Sequence, residues 1–515
     1  MRIAGELGAN IGPDSATRSR AARRRIILAL IGLGLFTRLP FFNLPVQADE
    51  AAMYTWYCVT PEYPVLHVIT HYGGPHNHVL HSVLFTALYT VFGWGFPWLR
   101  LPALLAGVAC VPLSYVVLRR IIGHSGAIIA AVLVAFSGWA VRYATDARGY
   151  SLAMMLGLIA VGLIWHGRRR GSPLHVAAAG FVIGCAVGTV PTMIHLAAAI
   201  GVWLALCPGP SSAPRRAATF RHVVLYSGMA ATTAALWYAP IISFMGLDAL
   251  WRYPGVHALP FAQLLSDFPR NFVAQARMLS NGALPTIVFW VLVGVGAIRL
   301  HRTRPAAALL LGIVLILPVA ITLILRRLPP ERAMIFMIPF AAAPAAVGVV
   351  HLANLASLAV AAWHSQHGRR VATAAATLIL FFSAASAFAT RWPVPLPGVD
   401  DKPDVAPVAR FLAAQANEDA FIFARTGVSE PLQYHLARLG RPFERVGMPR
   451  PKNHVTDGVL VRQKGAGLGI KLSRFMQSYE ATRVLFQNEA YAIWRVRRTE
   501  APPTAQIAFT DGDGI

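Results

Sequence analysis

Apolar runs long enough to cross a hydrocarbon core recur along most of this chain, and they limit its fold more than any other feature. The cleanest, Val371 to Thr390, carries no charged residue, and roughly 20 such residues make a helix that spans a bilayer. A backbone in lipid has to satisfy its own polar groups, which leaves helices or closed barrels. Barrel strands would alternate apolar and polar residues over about ten positions. These runs are continuous, so an all-α polytopic membrane bundle is expected. Of the 515 residues 56% are hydrophobic and 13% charged, a balance foreign to a soluble protein of this length.

The net charge of +24 would suggest nucleic acid as a partner of a soluble chain. Here the basic residues sit in short clusters between the apolar runs: Arg18 to Arg25, Arg119-Arg120, Arg168 to Arg170, Arg215 to Arg221, Arg302 with Arg304, and Arg369-Arg370. They read as cytoplasmic loops, and nucleic acid is not expected. Parity then constrains the count. The run from Arg25 to Phe42 leaves the cytoplasm and the run from Trp98 to Leu118 returns, so the segment from His78 to Phe92 cannot cross and is expected to lie along the outer leaflet. Further spans at 124–142, 150–166, 174–190, 193–207, 222–244, 283–300, 306–325, 333–352 and 371–390 bring the total to about 11. The expected divisions are a cytoplasmic tail over 1–24, a transmembrane domain over 25–392 with its first outer loop at 43–97, an extracytoplasmic domain over 393–500, and a disordered tail over 501–515.

The change of character after Thr390 is sharp. Pro-rich residues 392–401 read as a linker. Beyond it Val405 to Ala416 reads as a helix, Asp419 to Ala424 as a strand, Glu430 to Arg438 as a helix, and Arg483 to Phe486 with Tyr491 to Val496 as a closing strand pair. That alternation predicts a small α/β domain. Four scattered cysteines supply no disulfide framework.

By parity, three polar groups gather on the outer face. The first is Asp49-Glu50, followed by a loop carrying His67, His71, His76, His78 and His81 with Asn77 among them. A carboxylate at a membrane boundary is tuned by partial desolvation to accept a proton. His78 and His81, one helical turn apart, could join Asp49 in holding a divalent metal ion, or serve only as interfacial anchors. The second group is Asp146 and Arg148, in a very short connector between spans. The third is Arg326-Arg327 and Glu331-Arg332, three arginines on the side where the positive-inside tendency disfavours them. A bound anion explains that exception, and so does pairing with Glu331 or with lipid headgroups. Arg148 and Arg332 suit a phosphate. Together these groups imply a water-side nucleophile reacting with a phosphate-bearing lipid, as in glycosyl transfer from a polyprenyl phosphate. No Gly-rich nucleotide turn is present.

At these residues the chain resembles the GT-C superfamily of integral membrane glycosyltransferases. It looks most like bacterial members of glycosyltransferase family 39, kin of protein O-mannosyltransferases and lipid A aminoarabinose transferases. The family's acidic pair in the first outer loop is matched by Asp49-Glu50, its Asn-His-Pro-Leu motif by Asn77-His78-Val79-Leu80 with Val79 in place of Pro, and its Arg-Leu-Pro stretch by Arg100-Leu101-Pro102. Its acidic-and-Arg connector resembles Thr145 to Tyr150, and its late Arg before a Pro-bearing helix resembles Arg332 to Pro339. The resemblance implies a multi-pass protein of the bacterial inner membrane that transfers a sugar, with inversion, from a polyprenyl-phosphate donor to a glycan, lipid or protein acceptor. It implies Asp49 as general base, Glu50 beside it and Asp146 as a second acid. Arg148, Arg332 and Arg327 would bind donor phosphate, and Asn77, His78 and Tyr54 would line the site. A transporter or lipid flippase, or a surface-glycan polymerase drawing on the long loop 248–280, would share the same hydropathy. Transporters usually show repeats and midplane charge, which this sequence lacks.

Overall fold

A computed structural model describes residues 13–59, 61–73, 77–93, 96–207, 215–250, 258–280, 284–363, 404–415, 421–424, 428–439, 441, 446–447, 457–463, 479–488 and 490–498. In chain order the helices are α1 (Pro13–Phe36), α2 (Ala48–Tyr54), α3 (Pro64–Thr70), α4 (Val79–Phe92), α5 (Phe96–Ile121), α6 (His124–Ala135), α7 (Gly138–Arg142), α8 (Tyr150–Arg170), α9 (Pro173–Thr189), α10 (Ile194–Leu206), α11 (Arg215–Met245), α12 (Phe261–Ser280), α13 (Thr286–Thr303), α14 (Pro305–Leu325), α15 (Ile338–Trp363), α16 (Ala406–Gln415) and α17 (Ser429–Arg438). The strands are β1 (Phe421–Ala424), β2 (Val446–Gly447), β3 (Asp457–Gln463), β4 (Tyr479–Gln487) and β5 (Tyr491–Arg498). Two compact units emerge: Met1–Asn43, Ile69–Phe85 and Pro97–Gly398 form one, and Leu44–Val68, Thr86–Phe96 and Val399–Ile515 the other.

The first unit is the membrane bundle. Among the described residues, six helices are long and apolar enough to cross a bilayer: Leu99–Ile121, Tyr150–Arg170, Ala217–Met245, Thr286–Thr303, Pro305–Leu325 and Glu331–Ala356. The shorter apolar helices α6, α9 and α10 overlap expected spans, and the span read at 124–142 is broken at Phe136-Ser137 into α6 and α7. The run 371–390 lies outside the described residues. α1 begins at Pro13, inside the segment read as a tail. α4 has 14 residues, about 21 Å of helix, too short to cross the hydrocarbon core.

Small residues decide which helices touch. Gly180, Gly184 and Gly188 repeat every fourth position along α9 and lie against Tyr226, Thr233 and Trp237 of α11. Without side chains on that stripe the two backbones approach closely, the usual way for helices to associate where lipid is as apolar as leucine. α15 is the innermost span, with 89% of its apolar window buried, against 17% for α11 and 28% for α14. Leu236, Ile316 and Ile324 on those outer helices are left exposed, as a lipid-facing surface requires.

The second unit is the small α/β domain together with pieces of the first loop. Its sheet runs β2-β1-β3-β5-β4, with β1 parallel to β2 and β3, and β5 antiparallel to β3 and β4. The expected helices, first strand and closing strand pair are all present. β2 and β3 were not read from the sequence. Val408 and Leu412 of α16 and Leu432 and Leu436 of α17 close over Ile422, Val459, Val461 and Ile493. The expected linker 392–401 and tail 501–515 lie outside the described residues.

Candidate active site

The charged connector after α6 is built as a break in a helix. α6 ends at Ala135, α7 lasts five residues, and the chain then turns until α8 begins at Tyr150. Thr145 Oγ1 donates to the carbonyls of Val141 and Arg142, and the Arg148 amide donates to the Asp146 carbonyl at 2.7 Å. These local bonds offer the backbone an alternative to continued helix. The very short connector read between these spans is buried throughout, with Arg148 only 1% exposed and Asp146 5%.

Buried charge has to be paired or solvated by protein dipoles. Asp146 Oδ2 lies 3.9 Å from Arg142 Nη2, an i,i+4 pair, so Arg142 joins Asp146 and Arg148 in the turn. Arg142 Nε and Nη1 are buried without a hydrogen-bond partner among the described residues. Two further arginines missed as site neighbours are fully buried. Arg38 Nη1 donates to Thr37 Oγ1 at 2.7 Å and to the Ala135 carbonyl that ends α6, and Arg100 Nη1 donates to the Phe42 carbonyl at 2.7 Å.

His78 joins the turn from the far end of the first loop. Its Nδ1 accepts from the Gly149 amide at 2.9 Å, and its Nε2 stands 3.3 Å from Arg148 Nη2. The ring packs edge-on against Tyr150, centroids 4.6 Å apart. Glycine at 149 makes this approach available, because a Cβ there would come within 2.8 Å of His78 Nδ1 and 2.7 Å of Thr189 Cγ2. Both ring nitrogens of His78 thus face groups of this turn, Nδ1 the Gly149 amide and Nε2 the Arg148 guanidinium. Among the described residues no group of three His, Cys, Asp or Glu side chains comes together. His71 is engaged with Thr70 and Phe244, His81 stacks on Phe85, and His76 lies outside the described residues.

The late arginine reaches the same turn. Burial pushes the Tyr143 phenol well above its ordinary range, as does Tyr150 beside it; Arg142 and Arg332 pull it down and Asp146 adds to the rise. Tyr143 thus lies within electrostatic reach of Arg142, Asp146 and Arg332 together. Arg332 stands on the 3-10 turn Glu331–Met337 that leads into α15, a turn tied down by Thr192 Oγ1 donating to the Ala333 carbonyl at 2.7 Å. Arg327 follows Arg326, the left-handed residue that caps α14. Asn77 Nδ2 donates to the His71 carbonyl at 2.9 Å.

The acidic pair belongs to the second unit. Asp49 is half-buried in the first turn of α2. Glu50 is buried, and its Oε2 accepts from the Gln47 amide at 3.0 Å, so one of the two acids fastens the helix start while its neighbour stays accessible. Tyr54, at the end of α2, packs edge-on against Tyr434 of α17 and Tyr89 of α4, centroids 5.1 and 5.6 Å apart. His67 packs against Tyr57 within this unit.

No protein-family model matches the sequence, and a search of curated proteins returns no match. Solved structures do match. ArnT from Cupriavidus metallidurans in the apo state superposes with a TM-score of 0.58 at 13% identity, over 92% of this chain and 98% of that one. The same protein bound to undecaprenyl phosphate gives 0.55 at 14% identity, over 93% and 98%. The chain has the GT-C fold.

Identity this low speaks for the fold alone, so the chemistry rests on residues. Within the first unit of the GT-C fold, His78, Asp146, Arg148 and Arg332 converge on one buried turn, joined by Arg142. Asp49, Glu50 and Tyr54 share one short helix of the second unit. Arg142 was legible in principle, since the spacing Arg142 to Asp146 is that of an ion pair on a helical turn.

Proposed function

We propose that the chain is a membrane glycosyltransferase that uses a polyprenyl-phosphate-linked sugar as donor and a hydroxyl as acceptor. The observation that carries this reading is the buried Arg148 guanidinium, 3.3 Å from His78 Nε2, in a turn that also carries Arg142 and Asp146. Such a cluster suits a lipid phosphate at headgroup depth. ArnT, whose fold this chain shares over nearly its full length, is bound to undecaprenyl phosphate in one of its structures.

The reaction is a single displacement at the anomeric carbon. The acceptor oxygen forms the new bond to that carbon as the bond to the phosphate oxygen breaks, inverting the configuration. Asp49 takes the proton of the acceptor hydroxyl, and the polyprenyl phosphate leaves with the electron pair. Arg148 and His78, both buried, and the half-buried Arg332 and Arg327 are worth most here, because they oppose the charge as it grows on the leaving phosphate. Asp146, held by Arg142, fixes the turn that carries Arg148, and Asn77 braces the approach of His78.

Purified protein in lipid nanodiscs, incubated with a panel of polyprenyl phosphate sugars and with chelator added or omitted, tests the reading. Sugar transfer to an acceptor, or slow donor hydrolysis, is expected with at least one donor in either condition. Turnover with none of them would overturn it.

A further inference from the structure

The segment 248–280, which the sequence presented as a long loop, contains the 20-residue helix α12, and that helix has three distinct sides. Phe261, Leu265 and Phe272 recur at helical spacing and are exposed. Ser266, Arg270 and Arg277 form a second exposed side, roughly opposite on the helical wheel. The third side faces protein: Leu264 and Met278 are buried, Asn271 Nδ2 donates to the Pro329 carbonyl at 3.1 Å, and Gln275 Nε2 reaches the same oxygen at 3.4 Å. Ahead of the helix, the Leu259 amide donates to the Arg326 carbonyl at 2.8 Å. α12 is therefore stitched at two points to the connector that carries Arg327 and Arg332.

A globular helix turns its apolar stripe inward. This one turns part of its polar side inward and leaves phenylalanines outside, between two helices that are long and apolar enough to cross the membrane, α11 and α13. We infer that α12 lies in the leaflet at that end of the bundle, with Phe261, Leu265 and Phe272 in the acyl region and Arg270 and Arg277 among anionic headgroups, and that through Asn271 and Gln275 it holds Arg332 at the depth of a lipid phosphate. Three chemistries on three sides of one helix match three surroundings: lipid, water and protein. The two arginines on the water side complement anionic headgroups. The second half of the inference, the seating of Arg332, rests on the phosphate-binding role proposed above; the first half does not.

The two halves separate experimentally. Nitroxide labels are placed singly at Leu265→Cys, Phe272→Cys, Ser266→Cys and Arg270→Cys in a Cys207→Ser background, since Cys58, Cys110 and Cys185 are buried. The protein is held in nanodiscs containing phosphatidylglycerol, and collisions with oxygen, which partitions into lipid, are compared with those of a water-soluble nickel chelate. Labels at 265 and 272 are expected to favour oxygen, and those at 266 and 270 the chelate. Equal chelate access at all four positions, or access to neither probe at 265 and 272, overturns the leaflet assignment. In the second arm, Asn271→Ala combined with Gln275→Ala is expected to raise the KM for the lipid donor roughly tenfold, the size of losing about one strong or two weak hydrogen bonds, with kcat little changed. An unchanged KM overturns the seating. If the unmodified protein turns over no donor, the glycosyltransferase reading fails while the label pattern still decides the first half.

Discussion

The two units hold their candidate residues by different means. In the membrane bundle Arg38, Arg100, Arg142 and Arg148 are buried at helix breaks, and their positions follow from close packing of small residues and from carbonyls at helix ends. The acidic pair rides on a seven-residue helix, far below the length at which a helix stands alone in water. Its order comes from outside, through Tyr54 against Tyr434. The bundle can bury charge because many spans share the cost of desolvation. The small domain leaves Asp49 half-buried and relies on aromatic contacts at Tyr54 to hold its helix.

That contrast predicts different kinetic signatures for the two sets of residues. The largest effect is expected for Asp49→Asn, which keeps the shape of the side chain and removes the base. Turnover should fall on the order of 10²- to 10⁴-fold, with donor binding and thermal stability unchanged; a variant that still turns over normally would end the role assigned to Asp49. Arg148→Ala should instead weaken donor binding and lower kcat together, by about 10²-fold in kcat/KM for loss of a charge-assisted contact. If it changes kcat alone, the division between a binding half and a chemical half is wrong.

Smaller effects sharpen the comparison. Gly149→Ala has to displace His78 or Thr189, so donor KM should rise by about tenfold with a lowered melting temperature; a crystal or cryo-EM structure of the variant with His78 unmoved would break the link between Gly149 and the site. Tyr434→Ala should destabilise the second unit by about 3 kcal/mol and reduce kcat, whereas Tyr434→Phe should recover both, because what α2 needs is the ring. Last comes pH. Burial holds His435 below its ordinary range, with Asp404 pulling upward and Arg438 and Arg410 downward. A histidine whose folded pKa is depressed favours the folded state fully above its unfolded pKa of about 6.5, and that advantage drains away as the pH falls toward the folded pKa. Protection factors in strands β1, β3 and β5, with the intrinsic pH dependence of exchange divided out, should therefore fall below about pH 6.5, and His435→Gln should flatten the dependence.

How far the sequence could be read follows the same division. The expected spans up to 352 overlap helices because a 20-residue apolar run has one answer in lipid, and the Val405 helix, Asp419 strand and Glu430 helix were legible from alternating periodicity. Arg148, Asp146 and His78 were singled out because charge is scarce in this chain. Their geometry was not legible: nothing in the order Gly149-Tyr150 announces that an amide will hold the His78 ring. α12 did leave a signal, the spacing of Phe261, Leu265, Phe268 and Phe272, but Pro269 in its middle argued for a loop. The tripeptide Arg-Leu-Pro also occurs three times, at Arg38, Arg100 and Arg327. Its first two arginines spend hydrogen bonds on nearby carbonyls, a bracing role that charge counting alone cannot separate from ligand binding.

The contact between Tyr54 and Tyr434 has a consequence for how the protein comes into being. α2 is made long before α17, the helix it rests on, emerges from the ribosome. A chain cut short before residue 429 would lack the Tyr434 ring, so the full order of the acidic helix waits on the synthesis of a distant segment.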